Sequence, residues 1–391
     1  MPWSQTTPMH QRTLFIADHL RGTRSVIELC AEYGISRKTA YKWIDRYIHR
    51  GPGGLEDRSR RPRQSPNATA PAIVDALIDL RRRHPTWGAK KLIVVLKRRH
   101  PQWQLPRRTA VCDLLKRRGL ILRKSARRAI GHPGKPSSVI LAPNHVWCAD
   151  FKGQFKTGNG RYCYPLTVTD GHSRYLLGCQ GLTSTAVVGA KPVFSRLFHE
   201  YGLPQYIRTD NGVPFATNTL ARLSRLSAWW VRLGVLPQLI EPGKPQQNGR
   251  HERMHRTLKA ETTRPPAASL RSQQKRFDAF RCEFNEQRPH EALEQRTPAA
   301  VYQPSPRPMP TTLPPLEYPD RFEVRYVSAN GGIRWNHAWV NVSTTCVGEY
   351  VGLEEIDDGV WNIYFGALRL GRLLERTMKV EDAYGRLHRH R

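Results

Sequence analysis

The order of patterned segments after residue 145 narrows the fold more than any other feature of this chain. VWCADFKGQF (146–155) predicts a strand, TGNG (157–160) a hairpin turn, and YCYPLTVTD (162–170) and YLLGCQ (175–180) continue an antiparallel meander. A helix from about 184 to 201, strand QYIRTD (205–210), a helix from about 218 to 234, the short strand VLPQLI and a helix from about 249 follow. Three antiparallel strands and then alternating helices and strands point to an α/β core.

At 391 residues the chain is too long for one ordinary core and should divide into about three or four units. Its formal charge of +31 points to a polyanionic partner, nucleic acid first. Of that excess, +21 lies in residues 1–144, spread along patterned segments. Within residues 1–56, three helices are expected between Thr13 and Ile48, the third opening at a capping Ser36 and burying Ala40, Trp43, Ile44 and Tyr47. Its other face carries Arg37, Lys38, Thr39, Lys42 and Arg46. Turn, cap, apolar stripe and basic face together make a helix-turn-helix that reads DNA, rather than a solvated charged surface.

An Arg- and Pro-rich linker (57–68) leads to a second helical, helix-turn-helix-like unit (69–122). Its stripe is Ile73, Leu77, Leu80, Leu92, Val95, Leu96, Val111, Leu114 and Leu115, with Arg107, Arg108 and Thr109 opening the last helix. Residues 123–144 read as a flexible basic tether that could track a DNA backbone. The seven cysteines contain no C-x-x-C pair, which argues against a disulfide framework or a zinc site. No apolar run reaches the roughly 20 residues of a membrane span, and the start lacks the plan of a signal peptide, so a cytosolic, DNA-associated protein without a membrane partner is expected.

Three carboxylates carry the chemistry. Asp150 sits inside an apolar strand, where Asp is disfavoured and an unpaired charge needs a cation. Asp210 ends another strand, and Glu252 lies in the helix after PGKPQQNG. If the first and fourth strands are neighbours, the two aspartates converge at one sheet end, with Glu252 brought over from the helix. Such a set suits two Mg²⁺ ions, with Mn²⁺ able to substitute, in an in-line phosphoryl displacement. Taken singly, Asp210 in D-N-G could be an ordinary turn residue and Asp150 a paired core carboxylate. Neither reading explains the coincidence with Glu252 on a helix that continues with His255, Arg256 and Lys259 at i+3, i+4 and i+7, cations that could hold phosphate.

The runs VWCADFKGQF, TDNGVPF, PGKPQQNGRHERMHRTLK and FNEQRPHEALEQRTPAAVY resemble the retroviral-integrase-like core of bacterial insertion-sequence transposases. In the last run Asn285, Arg288-Pro289-His290, Leu293, Thr297-Pro298 and Tyr302 carry the likeness. The resemblance implies a ribonuclease-H-like catalytic core (145–302), a metal-binding catalytic triad of Asp150, Asp210 and Glu252, and contact of Lys259 with the transposon end. The 41 residues between Asp210 and Glu252 exceed the retroviral spacing, and the extra length falls in LARLSRLSAWWVRLG; the histidine–cysteine zinc module of retroviral integrases is missing.

After a Pro-rich linker (303–319), residues 320–391 read as short strands, with Asn330-Gly331 and Asp358-Gly359 as hairpin turns of a small SH3-like barrel. The expected function is a DNA transposase that binds the terminal repeats of a mobile element and cuts and rejoins DNA, acting as a homo-oligomer on DNA. A helix-turn-helix regulator that has lost catalysis is the alternative, and the presence of all three carboxylates argues against it. A tyrosine or serine recombinase would need a nucleophile in an Arg/His-rich site, and no such constellation stands out.

Overall fold

A computed structural model describes residues 7–59, 68–121, 139–241, 247, 249–382 and 385. Most of the expected tether, most of the 57–68 linker and most of the PGKPQQNG loop lie outside the described residues. The chain divides into two compact units, 1–68 and 69–391.

In the first unit, α1 (Pro8–Arg21), α2 (Val26–Glu32) and α3 (Arg37–Arg50) enclose Phe15, Ile16, Leu29, Ala40, Trp43 and Ile44. Ser25 and Ser36 cap α2 and α3 by accepting backbone N–H groups, satisfying donors that a helix start leaves open. A short 3₁₀ turn, Gly51–Leu55, then folds back on α3. It packs so closely that a Cβ on Gly54 would lie 2.2 Å from the Arg46 carbonyl oxygen, so only glycine fits there.

The second unit starts with α4 (Pro71–Arg83), α5 (Ala89–Arg99) and α6 (Arg108–Arg117), packed through the expected stripe. Leu114 is only partly buried. The module is docked by polar contacts to the α/β part: His84 lies 2.8 Å from a Glu283 carboxylate oxygen, and Arg98 donates to the Gln295 carbonyl at 2.7 Å.

The main sheet comprises β1 (Val146–Phe151), β2 (Phe155–Lys156), β3 (Tyr162–Asp170), β4 (Leu176–Leu182), β5 (Tyr206–Thr209) and β6 (Leu236–Leu239). Its order is β2-β3-β1-β5-β6 with β4 also on β3; the meander is antiparallel, whereas β1, β5 and β6 run parallel. Because strand side chains alternate, Trp147 and Ala149 of β1 face the core formed with α7 (Val187–Tyr201) and α8 (Arg225–Arg232). The opposite face receives α9 (Gly249–Thr262) and α10 (Leu270–Cys282), which bury Met254, Leu258, Phe277 and Phe280 on Cys163, Leu176 and Cys179.

The helix expected over 218–234 is shorter. Ala221 and Arg222 take positive φ, and Ser224 starts α8 with a reciprocal Ser224–Ser227 cap. Leu220, Leu223, Ala228 and Val231 from this segment complete the core of the C-terminal β region. That region has β7 (Glu323–Tyr326), β8 (Gly332–Trp335), β9 (Ala338–Asn341), β10 (Tyr350–Asp357), β11 (Val360–Phe365), β12 (Leu368–Leu374) and β13 (Lys379–Glu381). The strands make a five-stranded antiparallel sheet, β13-β12-β11-β10-β7, and a β8-β9 ribbon, all-β as expected but not closed into a barrel. Asp358-Gly359 does form the β10–β11 hairpin. Asn330-Gly331 turns the chain between strands that do not pair with each other, and the second hairpin turns instead at Asn336 and His337, both at positive φ. β7 pairs with distant β10 rather than with its sequence neighbour β8.

Candidate active site

The two aspartates meet through strand register. Cys148 of β1 is level with Arg208 of β5 in parallel pairing, and two residues further along come Asp150 and Asp210 at the same sheet end. Strand alternation turns Asp150, like Cys148, toward the α9 face. Asp210 sits in the turn that follows β5, where Gly212 donates its N–H to the Asp210 carboxylate at 3.2 Å. Burial pushes the Asp150 carboxyl up to about 7, with the Asp210 and Glu252 charges adding to the rise. Asp150 therefore stands in a field of like charge with little water to relieve it, the setting in which a carboxylate cluster favours a cation. The reading of a paired core carboxylate is realised elsewhere: fully buried Asp170 accepts from the Asn144 N–H, the Ser173 N–H and the Ser173 hydroxyl at 2.6–2.8 Å.

Helix α9 presents Glu252 from an exposed position, while its buried stripe is His251, Met254, His255, Leu258 and Thr262. The two histidines grip β3. His251 has its Nε2 2.7 Å from the Thr167 hydroxyl and its Nδ1 2.8 Å from that of Thr169, and His255 Nε2 is 2.6 Å from Thr167. Thr167 has one proton for these neighbours, so at least one of the Nε2 atoms carries hydrogen. Thr167 is the register partner of Asp150, so the clamp ties the Glu252 helix to the strand that carries the first aspartate. Burial lowers the His251 pKa to about 3 and also depresses that of His255, so both rings are neutral.

His255 is thus not a surface group. It is 4% exposed, with its Nδ1 3.6 Å from the Asp150 carboxylate, and the DNA contact expected of it is corrected to a positioning contact inside the fold. Arg256 and Lys259 remain exposed. Asp150, His251 and His255 bring potential ligand atoms within 4.8 Å of one another, a group to which Asp210 and Glu252 do not belong. Both nitrogens of His251 already have hydroxyl partners, so that ring has no free lone pair to offer a metal. The sequence reading missed this clamp, although its signal, two histidines at i and i+4 on the inner face of a helix, was present.

The motif after α10 straps the core together. Asn285 hydrogen-bonds both backbone groups of Leu176 in β4, Tyr302 donates to Asn144 at 2.9 Å, and Arg288 pairs with Glu261 at 2.9 Å. In the first unit, Arg37, Lys38 and Lys42 are exposed at the start of α3, whereas Thr39 and Arg46 are half-buried. Lys42 and Arg46 lean over the Trp43 ring at 4.3 and 4.8 Å. Arg107 and Arg108 are exposed at the start of α6.

Comparison with known proteins agrees with this architecture. Two integrase core domain models match residues 141–245 and 233–298, a helix-turn-helix domain matches 11–63, and a homeodomain-like domain matches 39–111. The chain thus carries an integrase catalytic core with helix-turn-helix domains N-terminal to it. It is similar to the 31.7 kDa protein of insertion element IS407 from Burkholderia multivorans, 30% identical over 194 residues, which cover 47% of this chain and 61% of that protein. It is also 31% identical over 122 residues to the Gag-Pol polyprotein of baboon endogenous virus, covering 31% of this chain and 7% of the polyprotein. The magnesium complex of the HTLV-2 integrase catalytic core domain aligns at 16% identity and a TM-score of 0.34, over 42% of this chain and 99% of that one.

Proposed function

We propose that this protein is a DNA transposase that binds the ends of a mobile element and catalyses strand cleavage and transfer, with Asp150, Asp210 and Glu252 as its catalytic carboxylates. The observation that carries this reading is the parallel β1–β5 register, which aligns Asp150 with Asp210 while the histidine clamp holds the Glu252 helix against the same face. The donor set fits Mg²⁺, because three carboxylates are hard oxygen ligands and the Asp210 and Glu252 charges both add to the raised pKa of Asp150. Two such ions would activate the attacking oxygen and stabilise the leaving one. The residues of this chain would hold the ions and orient the strand, with Arg256 and Lys259 offering exposed cations one and two turns along from Glu252. DNA is held by the helix-turn-helix units through α3 (Arg37, Lys38, Thr39, Lys42, Arg46) and through Arg107 and Arg108 of α6, and the active form is a homo-oligomer on DNA.

The test is cleavage of duplexes that carry the element's terminal repeat, in Mg²⁺ or Mn²⁺. Asp150→Asn, Asp210→Asn and Glu252→Gln should each abolish cleavage with DNA binding nearly intact, since each removes a metal-binding charge and little volume. Full strand transfer by one of them would remove that residue from the triad, and activity that persists in EDTA would end the two-metal account.

A further inference from the structure

A cavity of about 510 Å³ opens beside α9, with His251 of the histidine clamp, Cys148 and Thr169 in its lining. Lys91 of α5, Arg174 after β3, Arg250 and Arg253 of α9 and Arg288 of the strap line it. Two carboxylates also line it: Asp170, hydrogen-bonded to three neutral donors, and Glu291, paired with Lys90; Glu261 nearby pairs with Arg288. Lys91, Arg174, Arg250 and Arg253 make no ion pair among the described residues, and Arg174 and Arg250 both donate to the one carbonyl of Gly171. His290 also lines the cavity, and its Nε2 is buried without a hydrogen-bond partner. Met254, Phe284 and Ala292 supply an apolar wall.

The five cations outnumber the two carboxylates in the lining, Asp170 and Glu291, and an anion inside would relieve the repulsion that this excess leaves. Burial and the neighbouring Arg288 charge lower the Lys91 pKa to about 8, and burial with Arg250 lowers that of Arg174 to about 10. Arginine forks match the oxygens of phosphate, which accept several charge-assisted hydrogen bonds at once. The volume is too large for phosphate alone and falls in the range of small-ligand sites, while an aromatic and aliphatic wall suits a stacked base. We propose that this cavity binds a nucleotide, its phosphate among Lys91, Arg174, Arg250 and Arg253 and its base against Phe284, Met254 and Ala292. The nucleotide can be free or a unit of a DNA strand, since both present the same chemistry.

Binding to the full chain decides the matter, measured with fluorescent 2′-deoxyadenosine 5′-monophosphate, with a short single strand containing 5-iododeoxyuridine, and with inorganic phosphate as competitor. Lys91→Gln and Arg253→Gln should each weaken binding about tenfold, the loss of one charged hydrogen bond, with melting temperatures close to that of the parent. Saturable binding of the mononucleotide identifies a free nucleotide as ligand. Binding of the strand alone, with photo-cross-linking to the peptide that contains Phe284, identifies a strand unit. Unchanged affinity in both variants, binding of neither probe, or strand binding without that cross-link would overturn the proposal. Phosphate competing as well as unlabelled nucleotide would overturn the base-binding wall. The assay reads binding rather than cleavage, so failure of the carboxylate triad would leave it standing.

Discussion

At the residue scale, the site depends on a few buried polar groups with fixed partners. Thr167 joins both clamp histidines, so Thr167→Val leaves two ring nitrogens without their hydroxyl; unfolding in urea should show a loss of about 1–3 kcal/mol. Because the clamp also sets the Glu252 helix against β1, cleavage should fall further than the loss of folded protein explains. An unchanged cleavage rate in the folded variant would reduce the clamp to a packing contact. His290 gives a pH signature. Burial, then the Lys91 and Arg288 charges, lower its pKa to about 3 from an ordinary value near 6.5. Between those values the unfolded chain binds a proton that the folded one refuses, so stability is fully present above about pH 6.5 and falls as pH drops toward 3. The slope due to this residue is about 1.4 kcal/mol per pH unit at most. His290→Gln should flatten the acid limb of a stability curve by up to that amount, and an unaltered limb would show that the ring titrates normally.

At the element scale, two local signals decide outcomes that periodicity leaves open. Ser36 caps α3, and Ser36→Ala should cost about 0.5–2 kcal/mol in the first unit and weaken DNA binding in proportion to the fraying of Arg37 and Lys38. A variant with parent-like melting and DNA affinity would show that packing around Trp43 alone holds the helix start. The longer spacing between Asp210 and Glu252 has a structural use: Leu220, Leu223, Ala228 and Val231 supply one wall of the C-terminal β core. Leu223 is 1% exposed, and Leu223→Ala should destabilise by about 2–5 kcal/mol. Proteolysis of this variant should begin in residues 320–382 if the insert anchors the β region; first cleavage elsewhere would assign the insert to the integrase core alone.

At the scale of the whole molecule, two helix-turn-helix-like units and one set of proposed catalytic carboxylates per chain suit an assembly in which joining two DNA ends requires two active sites. Light scattering on terminal-repeat DNA under catalytic conditions should report at least a dimer, and one chain carrying out paired-end joining would refute it. Deleting residues 1–60 should weaken binding to the specific repeat far more than to random DNA, because base contacts carry the specificity and phosphate contacts do not. Equal losses on both would reduce this unit to added charge.

The sequence by itself determined what local rules govern: the helical stripes, the cap at Ser36, the strand–helix order after residue 145, and the unusual placing of Asp150 in an apolar strand. It also carried the integrase-core motifs, since these are short runs. What periodicity could not decide was pairing between distant segments. The convergence of Asp150 and Asp210 at one sheet end depends on β5 lying parallel beside β1, and the inward turn of His251 and His255 depends on Thr167 and Thr169 standing opposite α9. The partnership of β7 with β10 and the burial of Leu223 under the β region are likewise contacts between residues far apart in the chain. Such choices are settled by which faces bury the most apolar surface and leave the fewest polar groups unpaired, and only the folded chain brings those faces together.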